Sequence, residues 1–274
     1  MPPNADPPQP QTKKTSPENP SCLVAFVGAG PGDPELITVK GQRLLREADR
    51  VIYAGSLVPP SLLGLCKPEA MLTDSASMTL EETHAAIMEG VRRGERVVRL
   101  HTGDPSLYGA IHEQMDLLDR EGVAYEVVPG VSAVFAAAAE LQCQLTLPQV
   151  SQTVIITRAA GKTPVPDRES LERLAAHGAT LIIYLSVQVI DDVVRALGTA
   201  YGPKTPVVVA YRVGWPDERI VRGTLEDIAQ RVRTAGIRRQ ALIMVGDVFE
   251  QTRRPVRSRL YDGSFAHGFR SARS

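Results

Sequence analysis

Hydrophobic positions along the chain fall into short β-branched runs separated by stretches with helical spacing. Apolar runs occupy 23–28, 50–53, 96–100 and 124–128, and helical patterns lie between them at 37–48, 79–92 and 109–121. In EETHAAIMEGV, Ala85, Met88 and Val91 recur at helical spacing while Glu81, Glu82 and Glu89 stay polar. Such alternation of strand and helix predicts a parallel sheet covered by helices. A second series follows the turn-rich LTLPQV at 145–150. It has strands at 152–157, 179–185, 205–211, 219–222 and 240–245, and helices at 168–176, 187–198 and 224–234. The short VGWPDE turn joins two of these strands into a hairpin, so this half mixes antiparallel with parallel pairing. The prediction is an α/β chain of two α/β domains. The N-terminal one (22–147) has a mostly parallel sheet, the C-terminal one (148–251) a mixed sheet, and the ligand cleft lies between them.

Composition changes this picture only at the ends. The chain has 274 residues, 43% hydrophobic and 23% charged, which is ordinary globular material. Basic and acidic residues balance at 31 each, so nothing global marks a nucleic-acid-binding face. The first 20 residues hold seven prolines and almost no large apolar side chain. A disordered tail over 1–21 is therefore expected, without the apolar centre of a secretory signal. A flexible basic tail is expected over 252–274. No apolar run approaches the ~18–20 residues needed to cross a bilayer, which predicts no membrane span. Cys22, Cys66 and Cys143 lie far apart with no C-x-x-C pair. That pattern fits a reducing cytoplasm and offers no metal site.

Candidate chemistry begins at LVAFVGAGPGDPELITVKG, residues 23–41. A strand breaks into Gly28, Gly30 and Gly32, but the last glycine of the dinucleotide fingerprint is replaced by Asp33. No acid follows the second strand, where Ala54 and Gly55 stand, and the phosphate-loop template is absent. The loop lets a ligand approach the backbone, yet it is poorly built for a phosphate. A ligand-free tight turn is the competing reading of this loop alone.

A second loop, RLHTGDPSLYG at 99–109, repeats the Gly-Asp-Pro triplet. In open α/β sheets ligands gather beyond the carboxyl ends of the strands. The loops after 23–28, 96–100 and 124–128 should share that edge, projecting carboxylates and carbonyls into one region suited to positive charge. Asp33 and Asp104 can equally be turn builders. His101 beside this edge is a candidate acid or base, or a strand-end histidine satisfied locally. No zinc-hydrolase spacing and no nucleophile elbow is present.

These residues resemble the tetrapyrrole (cobalamin/sirohaem pathway) S-adenosylmethionine-dependent methyltransferases. The resemblance runs from Leu23 to about Gln251 through VGAGPGDPELIT, YAGSLV, TGDPSLYG, VPGVSA, IIYLS, YRVGWPDE and ALIMVGDV. SQTVIITR (151–158) and the WPDE hairpin look most like the branch acting at C11 of precorrin-4 or cobalt-precorrin-4. Ala54-Gly55 departs from the uroporphyrinogen III branch, which carries an aspartate there. The resemblance implies S-adenosylmethionine as co-substrate, a tetrapyrrole substrate, a homodimer, and direct displacement of the sulfonium methyl. Carried over by motif, Pro31, Thr102, Gly103, Asp104, Leu107, Ser132 and Ala133 would line the cofactor from the first domain, with Asp104 as the candidate catalytic group. Tyr184, Leu185, Tyr211, Arg212 and Val213 would contribute from the second. Arg158, Lys162 and Arg212 are candidates for meeting substrate carboxylates. Competing readings are methylation of another tetrapyrrole or of a diphthamide precursor, a binding module without turnover, and a nucleic-acid methyltransferase.

Overall fold

The computed structural model describes residues 23–250 and, beyond them, Ser258, Asp262, 264–266 and 268–271. The tail expected at 1–21 lies outside the described residues, as does most of the tail expected at 252–274. The chain forms two compact units. One comprises the described chain up to Ala29 together with Ile37–Gly130, and the other Gly30–Leu36 together with the chain from Val131 onward.

The first unit is built on β1 (Val24–Gly28), β2 (Arg50–Tyr53), β3 (Met71–Asp74), β4 (Val97–His101) and β5 (Tyr125–Val128). All pairs are parallel, in the order β3-β2-β4-β1-β5. Side chains alternate across this sheet, as a period of two requires. Ala25 and Val27 of β1 face α1 (Val39–Glu47) and α2 (Pro60–Leu63), packing with Leu45 and Leu62. Val24 and Phe26 face α3 (Leu80–Arg92) and α4 (His112–Arg120), packing with Ile87 and Leu118. Each fully buried leucine or isoleucine of this kind contributes roughly 1.5–3 kcal/mol. Helix α3 opens on a capping box, with Thr79 accepting from the Glu82 N–H and Glu82 accepting from the Thr79 N–H.

The second unit contains α5 (Ala133–Glu140), β6 (Val154–Arg158), α6 (Leu171–Ala175), β7 (Thr180–Tyr184), α7 (Ile190–Leu197), β8 (Pro206–Tyr211), β9 (Arg219–Thr224), α8 (Ile228–Thr234) and β10 (Ala241–Val245). Its sheet order is β6-β7-β10-β8-β9. β10 runs antiparallel to both β7 and β8, β6 and β7 are parallel, and β8–β9 is the expected hairpin. β6, β7 and β8 therefore point one way and end at one edge. Helices α6, α7 and α8 cover one face, and α5 lies on the other against Ile182, Val208 and Met244.

Three elements had no counterpart in the predicted pattern: β3, α5 and the single-turn α2, whose four residues are too few to show helical spacing. β3 is a short edge strand whose Met71 and Leu72 are half exposed, so burial imposes no alternation on it. α5 buries Val134, Ala136, Ala137 and Ala138 and has no polar stripe for helical spacing to reveal. Its packing puts the division between units at Gly130/Val131, whereas the sequence pattern suggests 145–150. Among the described residues no helix is long and apolar enough to cross a membrane.

Candidate active site

In the first unit, the parallel order places β4, β1 and β5 side by side, so their carboxyl ends share an edge. Three loops meet there at the backbone. A Cβ on Gly28 would stand 2.5 Å from Gly130 Cα and 2.7 Å from Gly103 O. A Cβ on Gly130 would collide with the same Gly103 carbonyl. No residue larger than glycine fits this approach unless the loops separate.

Asp104 fastens the loops together. Its Oδ2 accepts the Gly130 N–H at 2.9 Å, and its Oδ1 accepts the Ser106 N–H at 2.8 Å and the Ser106 hydroxyl. Burial pushes the Asp104 carboxyl up, but the bonds from Ser106 and Gly130 outweigh it and hold it below the usual carboxylate value. Asp104 thus builds its own turn and also reaches across to the next loop. Around it, Thr102 is exposed, Gly103 is buried at φ +62°, and Leu107 is half-buried with its N–H on Asp104 O at 3.2 Å.

His101 sits one residue before this loop, 5% exposed, with its ring 6.0 Å from that of Phe26 and Nε2 unpartnered. Burial, reinforced by the Arg99 charge, pushes its pKa down to about 3. His101 is neutral at physiological pH, which removes it as an acid there.

The chemistry of the Gly30–Leu36 segment favours a cation over a phosphate. Asp33 Oδ1 accepts the Glu35 N–H at 2.8 Å, and the N-terminus of α1 is capped by Thr38 Oγ1, which accepts from Gly41 at 3.1 Å. The N–H groups of Glu35 and Gly41 are thus engaged by side chains of the chain itself. The Asp33 carboxylate puts negative charge in the segment, which suits a cationic ligand better than a phosphate.

Pro31, Ser132 and Ala133, counted with the first domain on sequence, all belong to the second unit. There Tyr184, at the end of β7, gathers the start of α5. Its hydroxyl accepts the Val134 N–H at 3.2 Å and shares a hydrogen bond with Ser132 Oγ at 2.8 Å. Ser132 makes no cap with its own side chain, so the tyrosine serves as the N-terminal cap. Burial raises the Tyr184 pKa against the opposing effect of those bonds. Ala133 packs partly buried on the core beneath.

Leu185, next in sequence, is 65% exposed at φ +55°, and Arg212 after β8 has φ +47°. Such strain in non-glycine residues after β7 and β8, two strands that end at the same sheet edge on either side of β10, is a marker of ligand sites. Tyr211 lies under the Arg219 guanidinium, and Val213 is buried in the core, leaving its backbone as the part a ligand could reach. Arg212 donates to Asp217 Oδ1 at 2.7 Å and Gln240 Oε1 at 2.9 Å. Arg158 donates to the carbonyls of Ala159, Thr163 and Pro164, shaping its own loop. Gly130, Ser106, Trp215 and Gln240 complete these arrangements. The first three lie in the quoted motifs and Gln240 immediately before one, but no local spacing singles them out.

A family model described as Tetrapyrrole (Corrin/Porphyrin) Methylases matches residues 23–229. A cobalt-precorrin-4 C(11)-methyltransferase from Methanocaldococcus jannaschii is 52% identical over 250 residues, 91% of this chain and 96% of its own length. The X-ray structure of a cobalamin biosynthetic enzyme, cobalt precorrin-4 methyltransferase, matches with a TM-score of 0.82 at 49% identity, covering 85% of this chain and 98% of that one. A uroporphyrin-III C-methyltransferase from Thermus thermophilus, complexed with S-adenosylhomocysteine, matches with a TM-score of 0.69 at 32% identity, covering 82% and 97%. With the paired glycine loops and the two sheets arranged as described, the chain belongs to the tetrapyrrole (corrin/porphyrin) methylases.

Proposed function

We propose that the protein transfers a methyl group from S-adenosylmethionine to C11 of precorrin-4 or cobalt-precorrin-4 in corrin-ring biosynthesis. The observation that carries this is the near end-to-end likeness to a cobalt-precorrin-4 C(11)-methyltransferase at 52% identity, against 32% for the uroporphyrin-III enzyme. When bound, S-adenosylmethionine supplies an electrophilic methyl on a cationic sulfur. The chain's task is to hold and orient it. Alignment of two reactants can be worth ~7–11 kcal/mol without any reactive side chain. Thr102, Gly103, Asp104 and Leu107 of the first unit and Pro31, Ser132, Ala133, Tyr184, Leu185, Tyr211, Arg212 and Val213 of the second are the proposed cofactor residues. Asp104 acts here as a positioning residue, because both its oxygens hold loops in place rather than facing outward unbonded.

The same reading makes the working form a cytoplasmic homodimer. A mass of one chain by analytical ultracentrifugation at assay concentration counts against the dimer. The substrate assignment is tested by methyl incorporation from labelled S-adenosylmethionine into precorrin-4 and uroporphyrinogen III in parallel. Incorporation into precorrin-4 alone supports it, and preference for uroporphyrinogen III overturns it.

A further inference from the structure

The turn between β8 and β9 carries Trp215, the single tryptophan of the chain. It was not among the residues expected to meet the cofactor. Its indole Nε1–H donates to Pro31 O at 3.0 Å, joining residues 184 apart in sequence. The ring also occupies the space where a side chain at position 32 would lie: a Cβ on Gly32 would stand 2.5 Å from Trp215 Nε1. One residue earlier, a Cβ on Gly214, at φ +82°, would stand 2.8 Å from Asp33 N. The Gly30–Leu36 loop and the β8–β9 turn are therefore in backbone contact across two glycines, with the indole between them.

The indole is itself held from behind. The Arg212 guanidinium lies over its ring at 4.0 Å, a cation–π contact. Arg212 is fixed in turn by Asp217 Oδ1 at 2.7 Å, by Gln240 Oε1 at 2.9 Å, and by its own N–H on Gln240 O at 3.0 Å. Glu218 Oε2 accepts the Gly214 N–H at 2.7 Å and closes the turn. Arg212 adopts a left-handed backbone to make these bonds. Trp215 is only partly buried, unlike an indole whose task is to fill a core. Asp217 and Gln240 thus fix Arg212, Arg212 backs the indole, and the indole alone bonds the carbonyl of Pro31.

We infer that Trp215 is a positioning residue that holds the Gly30–Leu36 loop in the shape that receives S-adenosylmethionine. The inference rests on the cofactor reading above and adds the residue that acts behind it. The indole does not touch the reacting atoms, so its loss weakens cofactor binding more than turnover at saturation. The Trp215→Phe change keeps a ring under Arg212 but deletes the bond to Pro31 together with part of the indole's packing on Gly32. Losing one neutral hydrogen bond of about 1 kcal/mol corresponds to a roughly fivefold weaker Kd. Trp215→Ala removes the ring as well and should weaken Kd by more than about tenfold.

Calorimetric titration with S-adenosylhomocysteine is the primary measurement, on native protein and both variants, with circular dichroism confirming the fold. Steady-state kinetics in S-adenosylmethionine then separates KM from kcat. The indole also reports directly, since native tryptophan fluorescence should change on titration with S-adenosylhomocysteine. The expected pattern is a fluorescence change in the native protein, a graded rise in Kd and KM through Phe to Ala, and a smaller effect on kcat. If native protein shows no calorimetric binding at all, the cofactor reading itself fails. If native protein binds but the folded Phe and Ala variants bind equally well, the cofactor reading survives and the role of Trp215 is overturned. A loss confined to kcat with unchanged Kd overturns it too.

Discussion

Replacing Asp104 by asparagine isolates what its carboxylate does. Each oxygen accepts a backbone N–H, from Ser106 and from Gly130, and the Ser106 hydroxyl adds a third bond. An amide has only one oxygen to accept with. Its better orientation keeps that oxygen on the two Ser106 donors and turns the NH2 group against the Gly130 N–H. The swap is therefore harsher than at an ordinary Asx turn, where asparagine can imitate aspartate. Losing a charge-assisted bond and leaving its donor unpaired costs roughly 1.5–3 kcal/mol. Gly130 is only half-buried, so water offsets part of this and the cost falls at about 1.5–2 kcal/mol. At about 2–4 °C per kcal/mol for a chain of this size, Tm should fall by roughly 3–8 °C. Gly130 touches Gly28 and Gly103, so its displacement also spoils the cofactor edge, and kcat/KM should fall at least about tenfold, near 1.4 kcal/mol.

Acid provides the internal control for that variant. The Asp104 carboxyl is held below its ordinary value of 3.8, so its contribution is complete above that value and is lost as pH falls through the lower folded value. The Tm gap between native and Asp104→Asn proteins should narrow below about pH 4. Scanning calorimetry from pH 7 to 3 and kinetics at pH 7 make the test. An unchanged Tm with unchanged kcat/KM would refute the cross-loop role, as would a gap that stays constant into acid.

Three further outcomes follow from the site. Tyr184→Phe removes the hydroxyl that caps α5, which should cost about 1 kcal/mol and lower Tm by roughly 2–4 °C in calorimetry, whereas an unchanged Tm means the cap contributes nothing. His101 should remain neutral at pH 5.5 by nitrogen NMR. Its folded pKa is pushed down to about 3 from 6.5, so the stability it contributes is complete above 6.5 and declines as pH falls toward 3; a charged ring at pH 5.5 contradicts the burial argument. S-adenosylhomocysteine should bind far more tightly than NAD or ATP in calorimetry, because no ribose-reading acid follows the second strand and the glycine loop lacks the phosphate-binding lysine. NAD binding the tighter of the two would reverse that reading.

The legible part of the fold was the part where burial repeats. β1, β2 and β4 of the first sheet and β7, β8 and β10 of the second announce themselves as apolar runs because both their faces are buried. The β8–β9 hairpin was visible because a short turn leaves the chain no other pairing. β3 was invisible because an exposed edge asks little of its side chains, and α5 because alanines bury on several sides at once. At the site, the shared strand edge followed from topology alone. The bonds that organise it did not, since Asp104 meets Gly130 across 26 residues and Trp215 meets Pro31 across 184. A glycine in a motif shows that something approaches, and only the fold reveals what.

The most direct test of the central claim is the position of the methyl group in the product. Purified protein is incubated with S-adenosylmethionine labelled with carbon-13 in the methyl group, together with precorrin-4 in one reaction and cobalt-precorrin-4 in another. The product is then read by NMR. The account predicts one new labelled methyl, at C11, in at least one of the two products. Label at any other ring position, or none in either product from protein that binds S-adenosylhomocysteine, contradicts it.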